Sequence, residues 1–343
     1  MEILLCDAFL FLNLINKCRV NNGIIKVLCW LLFTINIEYC AGSGVRSLLV
    51  GNDENVYVGR DDVIEHFHSY DVTQARADEN VNISIQDGGG PNFPSVFKFI
   101  LINGTEHVLR CGSGYARLCY VTDPSNISDA RALGHDEADT FGSPGHSVVV
   151  NITMSANTEV YVGISFNNSV PATIHAISRK RITRNGGGYN VELFTEHNLD
   201  DLHLKPKDGY SMEFIHGLLA DGFVYFLSNR RSPNGNTGAF LSQISTCAHY
   251  FNAYVEAPLE CKGYANIRSA FSVSTPRGAF LLAAFQGDER HRGSALCMYN
   301  ITRVATFFDE VHEKCFRKAV GSAPDWIRNV AESCKAPMVL HFV

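Results

Sequence analysis

Glu159-Val160-Tyr161-Val162-Gly163 is the stretch that decides the fold, because it recurs along the chain. A close copy, Asn55-Val56-Tyr57-Val58-Gly59, precedes it by 104 residues, or about two modules of fifty, and a looser copy follows at Gly222 to Leu227. Repetition of a four-stranded unit every 40 to 55 residues or so is typical of a β-propeller, in which each sheet covers its neighbour. We therefore predict an all-β propeller, with a β-sandwich carrying long insertions as the alternative.

The surrounding sequence also has the residue pattern of short strands and turns. From residue 45 to about 305, short segments rich in β-branched and aromatic residues alternate with Gly, Pro, Asn and Asp, as in a chain of strands and turns. Helical spacing occurs over Thr302 to Glu313, which places Val304, Phe308 and their neighbours on one side. A second short helix is predicted from Pro324 to Ser333. Both helices are interpreted as connections between blades.

Composition limits the class of protein. The 343 residues are 46% apolar, 11% aromatic and 19% charged, which indicates a folded chain with a large core. The 29 Lys and Arg are outnumbered by 35 Asp and Glu, giving a formal charge of -6. No basic run is long enough to follow a phosphate backbone, so nucleic acid is not expected as a partner.

Residues 1–41 differ from the rest. Lys17, Arg19 and Lys26 precede the apolar run Val27 to Ile35, and small residues follow from Ala41. This is the order of a signal peptide, whereas a membrane-spanning helix needs a run of roughly 20 apolar residues, about twice as long. We predict a signal peptide or signal-like leader at 1–41 and a single domain at 42–343, and hence a secreted or cell-surface location.

Asn-x-Ser/Thr sequons support secretion independently. None has Pro in the middle position, and each predicts a glycosylated, solvent-exposed asparagine. They begin at Asn82, Asn103, Asn126, Asn151, Asn167 and Asn300.

The cysteines predict a disulfide framework. Four of the eleven lie in the leader, and an odd set of seven remains: Cys111, Cys119, Cys247, Cys261, Cys297, Cys315 and Cys334. In an oxidising compartment these form bridges with one cysteine left over. The extra cysteine has three interpretations: a free thiol, an intermolecular bridge, or a partner beyond the end of the chain.

Candidate catalytic and metal sites are weak. The glycine triplets at 88–90 and 186–188 lack the Lys-Ser/Thr ending of a phosphate loop and are interpreted as turns. The His135 to His146 loop contains metal-ligand types without regular geometry, and Glu65, His66 and His68 are interpreted as solvated strand surface. Ser232 to Phe240 is an imperfect sialidase-type repeat. We predict no catalytic residue, cofactor or metal, and a recognition scaffold rather than an enzyme.

Four cysteine-bearing stretches carry a family resemblance. Tyr254-Val255-Glu256-Ala257-Pro258-Leu259-Glu260-Cys261, preceded by Cys247, resembles the signature of plexin sema domains. Ala295 to Tyr299 resembles the next cysteine strand of that family, and Cys111 to Cys119 its earlier Cys-Gly loop. Cys315 and the stretch Pro324 to Cys334 fit the region after the fifth blade. The resemblance covers most of residues 45–340.

The resemblance implies a disulfide-stapled, seven-bladed propeller of which about five blades are present here. It pairs Cys111 with Cys119, Cys261 with Cys297, and Cys315 with Cys334. Cys247 would pair with a cysteine after the equivalent of Cys334, and the chain ends nine residues beyond Cys334. Cys247 is therefore expected to be unpaired, in a partial sema domain that would reach the membrane only through a missing C-terminal region. The plexin first-blade cysteine pair is absent between residues 55 and 110.

By resemblance the function is semaphorin binding at the cell surface, in plexin-type signalling for axon guidance or cell migration. The ligand-contact residues are not transferable, because they lie on variable blade loops, and a homo-oligomer through the sema domain is left open. The alternatives are a semaphorin-type ligand, a sema-headed receptor tyrosine kinase and, more distantly, a secreted propeller hydrolase.

Overall fold

The computed structural model of the chain describes residues 45–50, 56–60, 63–67, 79–82, 94–102, 104–112, 119–134, 147–153, 158–167, 175–185, 188–193, 203–204, 206–246, 254–276, 278–287, 293–316, 324, 326–327, 334–335 and 340–341. Within them, the strands form four sheets. The nine-stranded sheet contains two successive antiparallel units, so the chain has five such units, which we call blades 1 to 5 in chain order.

The strands follow the chain from blade to blade. Blade 1 contains β1 (Val45–Val50), β2 (Val56–Arg60), β3 (Val63–Phe67) and β4 (Glu79–Asn82). Blade 2 contains β5 (Pro94–Ile102), β6 (Thr105–Gly112), β7 (Cys119–Asp123) and β8 (Asn126–Gly134). Blade 3 contains β9 (Ser147–Thr153), β10 (Thr158–Ile164), β11 (Ile177–Asn185) and β12 (Gly188–Leu193), with β13 (His203–Leu204) paired to β11.

Blade 4 contains β14 (Ser211–Ala220), β15 (Phe223–Arg231), β16 (Thr237–Ser245) and β17 (Val255–Glu260). Blade 5 contains β18 (Ile267–Thr275), β19 (Gly278–Gln286) and β20 (Ser294–Asn300), and leads into α1 (Ile301–Phe316). The short strands β21 (Cys334–Lys335) and β22 (Leu340–His341) pair with β17.

The blades stack side by side through their faces. The first strand of each blade contacts the first strand of the next, in the order β1, β5, β9, β14 and β18. Four clusters of buried apolar side chains fill the spaces between successive blades. Burying each sheet face against a neighbouring sheet removes apolar surface from water along the whole array. The predicted all-β propeller with about five blades is confirmed.

The recurring tyrosine motif marks the same place in three blades. Tyr57, Tyr161 and Tyr225 lie on β2, β10 and β15, the second strand of blades 1, 3 and 4, and are almost completely buried. Their rings pack in the apolar clusters while their hydroxyls need polar partners. The hydroxyl of Tyr57 donates to the carbonyl of Pro124 in blade 2 at 2.6 Å. The hydroxyl of Tyr161 donates to the carbonyl of Ser245 in blade 4 at 3.5 Å. These two tyrosines therefore tie one blade to the next.

Two glycines permit close approach between blades 3 and 4. A Cβ on Gly217 of β14 would lie 2.5 Å from Val150 Cγ2 on β9. A Cβ on Gly163 of β10 would lie 2.8 Å from the Phe214 ring. Both separations are shorter than van der Waals contact, so a larger side chain would push the two blades apart.

Blades 2 and 3 are joined at both edges. Their first strands, β5 and β9, are in contact, and their outer strands, β8 and β12, pair in parallel through Leu133 and Tyr189. The resulting continuous sheet is nearly closed and encloses the apolar cluster that contains Leu109, Val160 and Val191.

Helix α1 confirms the predicted helical spacing. Val304, Phe308 and Val311 are buried against blades 4 and 5. Asn300 caps the helix, since its Oδ1 accepts the backbone N–H of Arg303 at 3.2 Å. No helix in the described part of the chain is both long enough and apolar enough to span a lipid bilayer.

The interpretation of the segment after α1 was wrong in part. Ile327 forms an isolated β-bridge with Pro206 and Trp326 lies in a turn, where a second helix was predicted. Residues 328–333 lie outside the described part of the chain. β21 and β22 then return to β17, so this segment leads back to blade 4 rather than on to another blade.

Candidate functional site

The signature Tyr254 to Cys261 contains β17, the outer strand of blade 4, and Glu256 is the acidic residue near its start. Glu256 is 1% exposed although it carries a carboxylate. A buried charge of this kind is strongly unfavourable unless it is paired and hydrogen-bonded. The neighbours of Glu256 therefore explain why an acidic residue stands in this strand.

Three donors surround the Glu256 carboxylate. Arg230 Nη1 donates to Oε1 at 2.9 Å, and it comes from β15 of the same blade. The Tyr254 hydroxyl donates to Oε2 at 2.8 Å. Trp326 Nε1, seventy residues along the chain, donates to the same oxygen at 2.7 Å. We call Arg230, Tyr254, Glu256 and Trp326 the Glu256 network.

Each member of the Glu256 network is itself held by packing. The Arg230 guanidinium lies 3.6 Å from the centre of the Phe240 ring, a cation–π contact. The rings of Tyr254 and Trp326 meet edge to face, with centroids 6.1 Å apart. Burial, followed by the Glu256 charge, raises the pKa of Tyr254 well above its usual value. Tyr254 therefore stays a neutral donor at physiological pH.

The network attaches the segment after α1 to blade 4. Val255 and Glu256 pair in parallel with Cys334 and Lys335, and Leu259 pairs with Leu340. An outer strand left unpaired would present free backbone groups. The returning segment supplies partners for them, and Trp326 anchors it from the side.

Two disulfides join the cysteines that the resemblance pairs. Cys111 and Cys119 face each other across β6 and β7, with Cα atoms 4.1 Å apart, so this bridge lies within blade 2. Cys261 and Cys297 have Cα atoms 6.0 Å apart and link the end of β17 to β20, so this bridge joins blades 4 and 5. All four cysteines are buried.

The predicted pairing of the other cysteines falls outside the described part of the chain. Cys247 lies outside the described residues. Cys315 falls in the last turn of α1 and Cys334 in β21, and both side chains lie outside the described part. Their pairing, and the unpaired state of Cys247, stay predictions.

The sequons fall in different surroundings. Asn126 is exposed at the turn between β7 and β8, and Asn167 is exposed after β10. Asn300 is half-buried at the cap of α1, and Asn151 is half-buried within β9, where its Nδ2 donates to the Leu101 carbonyl at 3.4 Å. Asn82 ends β4 with its side chain outside the described part, and Asn103 lies outside it.

One surface interpretation is corrected. His66 was expected on a solvated strand face, but it is fully buried and stacks on Tyr57, with ring centroids 4.5 Å apart. Blade 2 covers this face of blade 1, and the periodicity of a single strand does not show which of its two faces a neighbouring sheet will cover. His68 lies outside the described residues.

Most of the other candidate metal-ligand and phosphate-loop residues lie outside the described part of the chain. The His135 to His146 loop and the glycines at 88–90 lie outside the described residues. Asn185 pairs with Gly188, so the second glycine triplet falls at the hairpin between β11 and β12. Among the residues that the structure describes, no group of three or more His, Cys, Asp or Glu is arranged to hold a metal ion.

Two polar side chains meet from the first strands of blades 4 and 5, and the charge of a lysine on the first strand of blade 2 acts on one of them. His216 Nε2 on β14 lies 3.2 Å from Ser272 Oγ on β18. Burial, followed by the charge of Lys98 on β5, lowers the pKa of His216 to about 3. Burial also lowers the pKa of Lys98 to about 8. His216 is therefore neutral at physiological pH.

Two of the exposed large apolar side chains in the described part of the chain lie on the last strand of blade 5. Leu296 and Met298 of β20 are 48% and 47% exposed, and Leu219 of β14 is 45% exposed. Met298 pairs with Leu282, which pairs with Phe271, so these residues lie on one face of blade 5. The opposite face, with Leu281, Ala283 and Phe285, packs toward blade 4.

Two members of the Glu256 network had no assigned role in the sequence. Arg230 falls in an apolar strand and Trp326 in a segment interpreted as helical. The available signal was Glu256 itself, because an acidic residue within a buried strand requires a cation and further donors. This requirement predicts that partners exist but does not identify their positions in the chain.

Comparison with known proteins supports the fold. No protein-family model matches the sequence. The extracellular region of plexin A4 superposes with a TM-score of 0.65 at 15% identity, over 88% of this chain and 41% of that structure. Drosophila semaphorin 2a superposes with a TM-score of 0.54 at 15% identity, over 78% of this chain and 49% of that one.

The chain spans less than half the length of each of these two structures. Both are sema-domain proteins. The chain therefore has the β-propeller fold of sema-domain proteins.

Proposed function

We propose that this chain is the semaphorin-binding part of a plexin-like cell-surface receptor. The observation that carries the proposal is the combination of a sema-type propeller with the plexin-type signature Tyr254 to Cys261. Tyr254 and Glu256 of the signature are buried in the Glu256 network, so they support the shape of blade 4 rather than contact a ligand directly. Recognition would then fall to the exposed turns and faces of the blades, without catalysis.

An extracellular location belongs to the same proposal. Buried disulfides persist in oxidising compartments and are rare in the cytosol, and this structure holds two of them. Exposed sequons such as Asn126 fit passage through the secretory pathway. Attachment to the plasma membrane would come from sequence outside this propeller.

A semaphorin-type ligand is the second candidate, because semaphorin 2a has the same fold. The two roles differ in the partner. A receptor head binds semaphorin extracellular regions, whereas a ligand binds plexin extracellular regions.

Surface plasmon resonance on the chain secreted from eukaryotic cells tests the proposal. Semaphorin and plexin extracellular regions are passed over it in turn, with reduced and alkylated chain as the control surface. We expect saturable binding to at least one semaphorin, with a Kd of about 1 µM or tighter, and none to the control. Binding to plexins alone would favour the ligand role, and binding to neither by protein with an all-β circular dichroism spectrum would contradict both.

A further inference from the structure

A cavity opens where blades 2 and 3 close on each other. Its volume is about 270 Å³, and its lining comes from the ends of the β5–β6, β7–β8 and β11–β12 hairpins. The mouth of a closed or nearly closed sheet is a common place for a small-molecule site. The volume lies just below the range of about 300 to 1,000 Å³ usual for ligand pockets, which favours a compact ligand.

The base of the cavity is apolar and fixed. Ile102 and Val121 are buried in or beside the core of blades 2 and 3. The Tyr189 ring stands against His107, with centroids 6.0 Å apart. These side chains give a ligand a rigid surface to pack on.

Charges of both signs converge on the opening. Asp123, Asp129, Arg131 and Arg184 all line it. Among the described residues, no ion pair joins any two of these four side chains. Asp129 and Arg131 are two residues apart on β8 and share a face, while Arg184 faces them from blade 3.

The surroundings of Asp123 and His107 lower the pKa of both side chains. The hydroxyl and backbone N–H of Ser125 donate to Asp123 Oδ1 at 2.6 and 2.8 Å and lower the pKa of Asp123. Burial lowers the pKa of His107. At physiological pH Asp123 is therefore a carboxylate and His107 a neutral imidazole.

We propose that this cavity binds a small zwitterion of amino-acid size. The carboxylate of the ligand would face Arg131 and Arg184, its ammonium group would face Asp123 and Asp129, and its side chain would pack on Ile102, Val121 and Tyr189. A simple anion or cation would leave one pair of charges unmatched, so the arrangement selects a dipolar molecule.

Isothermal titration calorimetry of the secreted chain with each standard amino acid tests this site. We expect at least one amino acid to bind saturably with a Kd below about 10 mM, and acetate and methylammonium to bind at least about tenfold more weakly. Arg184→Gln and Asp129→Asn should each lower the affinity of the chain for that amino acid by about tenfold or more. Arg303→Gln and Asp309→Asn, exposed on α1, are the matched controls and should leave its affinity unchanged.

Three outcomes would overturn the proposal. The first is that no amino acid binds the folded chain, and the second is that acetate alone binds as tightly as the best amino acid. The third is that Arg184→Gln and Asp129→Asn retain full affinity while circular dichroism shows both folded. None of these depends on semaphorin binding, so the site and the proposed function fail or stand separately.

Discussion

Glu256 shows how a single acidic residue can organise two distant segments. It receives hydrogen bonds from Arg230 in its own blade and from Trp326 after α1. A carboxylate accepts several such bonds, and its charge balances the buried guanidinium. Glu256 must accept several hydrogen bonds and also balance the charge of Arg230. These two requirements explain why an acidic residue stands between Val255 and Ala257.

We predict that Glu256→Gln lowers the free energy of unfolding by about 3 kcal/mol. The amide keeps the size of the side chain but leaves the Arg230 guanidinium buried without a counter-charge. Urea denaturation followed by tryptophan fluorescence measures the effect, because Trp326 is the single tryptophan of residues 42–343 and is itself a partner of Glu256.

Glu213→Gln is the matched control for this experiment. Glu213 is exposed on β14 of the same blade, so its neutralisation should change stability by less than about 0.5 kcal/mol. Equal stability of the two variants would show that the Glu256 network does not hold the blade.

We predict that the folded chain loses stability in acid because the unfolded chain takes up a proton at His216. Its pKa is lowered from 6.5 to about 3 in the folded chain, so the unfolded chain binds the proton more readily. The His216 contribution is essentially complete above about pH 7.5 and falls as the pH drops through 6.5 toward 3. Between about pH 7.5 and about pH 5 the loss amounts to about 2 kcal/mol.

Denaturant titrations at these two pH values compare the wild type with His216→Gln. The stability difference between the two proteins should change by about 2 kcal/mol over the interval, because the variant lacks the titrating group. Arg303→Gln, exposed on α1, should follow the wild type. A constant difference between wild type and His216→Gln would refute the assignment.

At the scale of elements, apolar periodicity predicted the strands that carry the recurring tyrosines. β2, β10 and β15 have their apolar and aromatic residues in short runs, as buried strands do. β11 was largely missed, because Arg179, Lys180 and Arg181 interrupt any apolar pattern. Arg179 is nevertheless buried, since Glu159 on the adjacent strand accepts its Nε–H at 3.0 Å. Such compensation across strands is not visible in one strand alone.

The candidate site was predictable only in part. The strand Tyr254 to Cys261 was visible as a contiguous motif, and the two pairs Cys111–Cys119 and Cys261–Cys297 were implied by the resemblance to plexin sema domains. The cavity between blades 2 and 3 did not, because its lining residues come from three hairpins that have no sequence pattern in common. Their convergence depends on the parallel pairing of β8 with β12, and parallel contacts between distant strands leave no local signal.

The sequons also differ in solvent exposure, according to where each lies in its strand. Asn126 is exposed in a turn, whereas Asn151 lies within β9 and its Nδ2 is bonded to Leu101 of β5. A glycan on Asn151 would have to fit between these first strands, so we predict that the secreted, folded chain carries glycan at Asn126 and none at Asn151.

Glycopeptide mass spectrometry measures this difference directly. Asn126→Gln should reduce the mass of the secreted chain by one glycan, and Asn151→Gln, the matched sequon variant, should leave glycan mass unchanged. Full occupancy of Asn151 in folded protein would contradict the packing of β9 against β5.

At the scale of the molecule, stability comes from sheets that cover one another. Each blade buries one face against its neighbour, and the apolar clusters alternate with the blades around the array. The Cys261–Cys297 bridge crosses one of these boundaries and closes a separation of 36 residues. Restricting the unfolded chain over that span stabilises the folded state by about 4 kcal/mol. The exposed Leu296 and Met298 lie on the far face of the same blade.

Disulfide mapping of the secreted protein tests most directly the claim that this chain is an oxidised, extracellular propeller. Non-reducing digestion and mass spectrometry should recover the Cys111 peptide joined to the Cys119 peptide, and the Cys261 peptide joined to the Cys297 peptide. Finding these four cysteines as free thiols in folded, secreted protein, or joined in other pairs, would contradict the account.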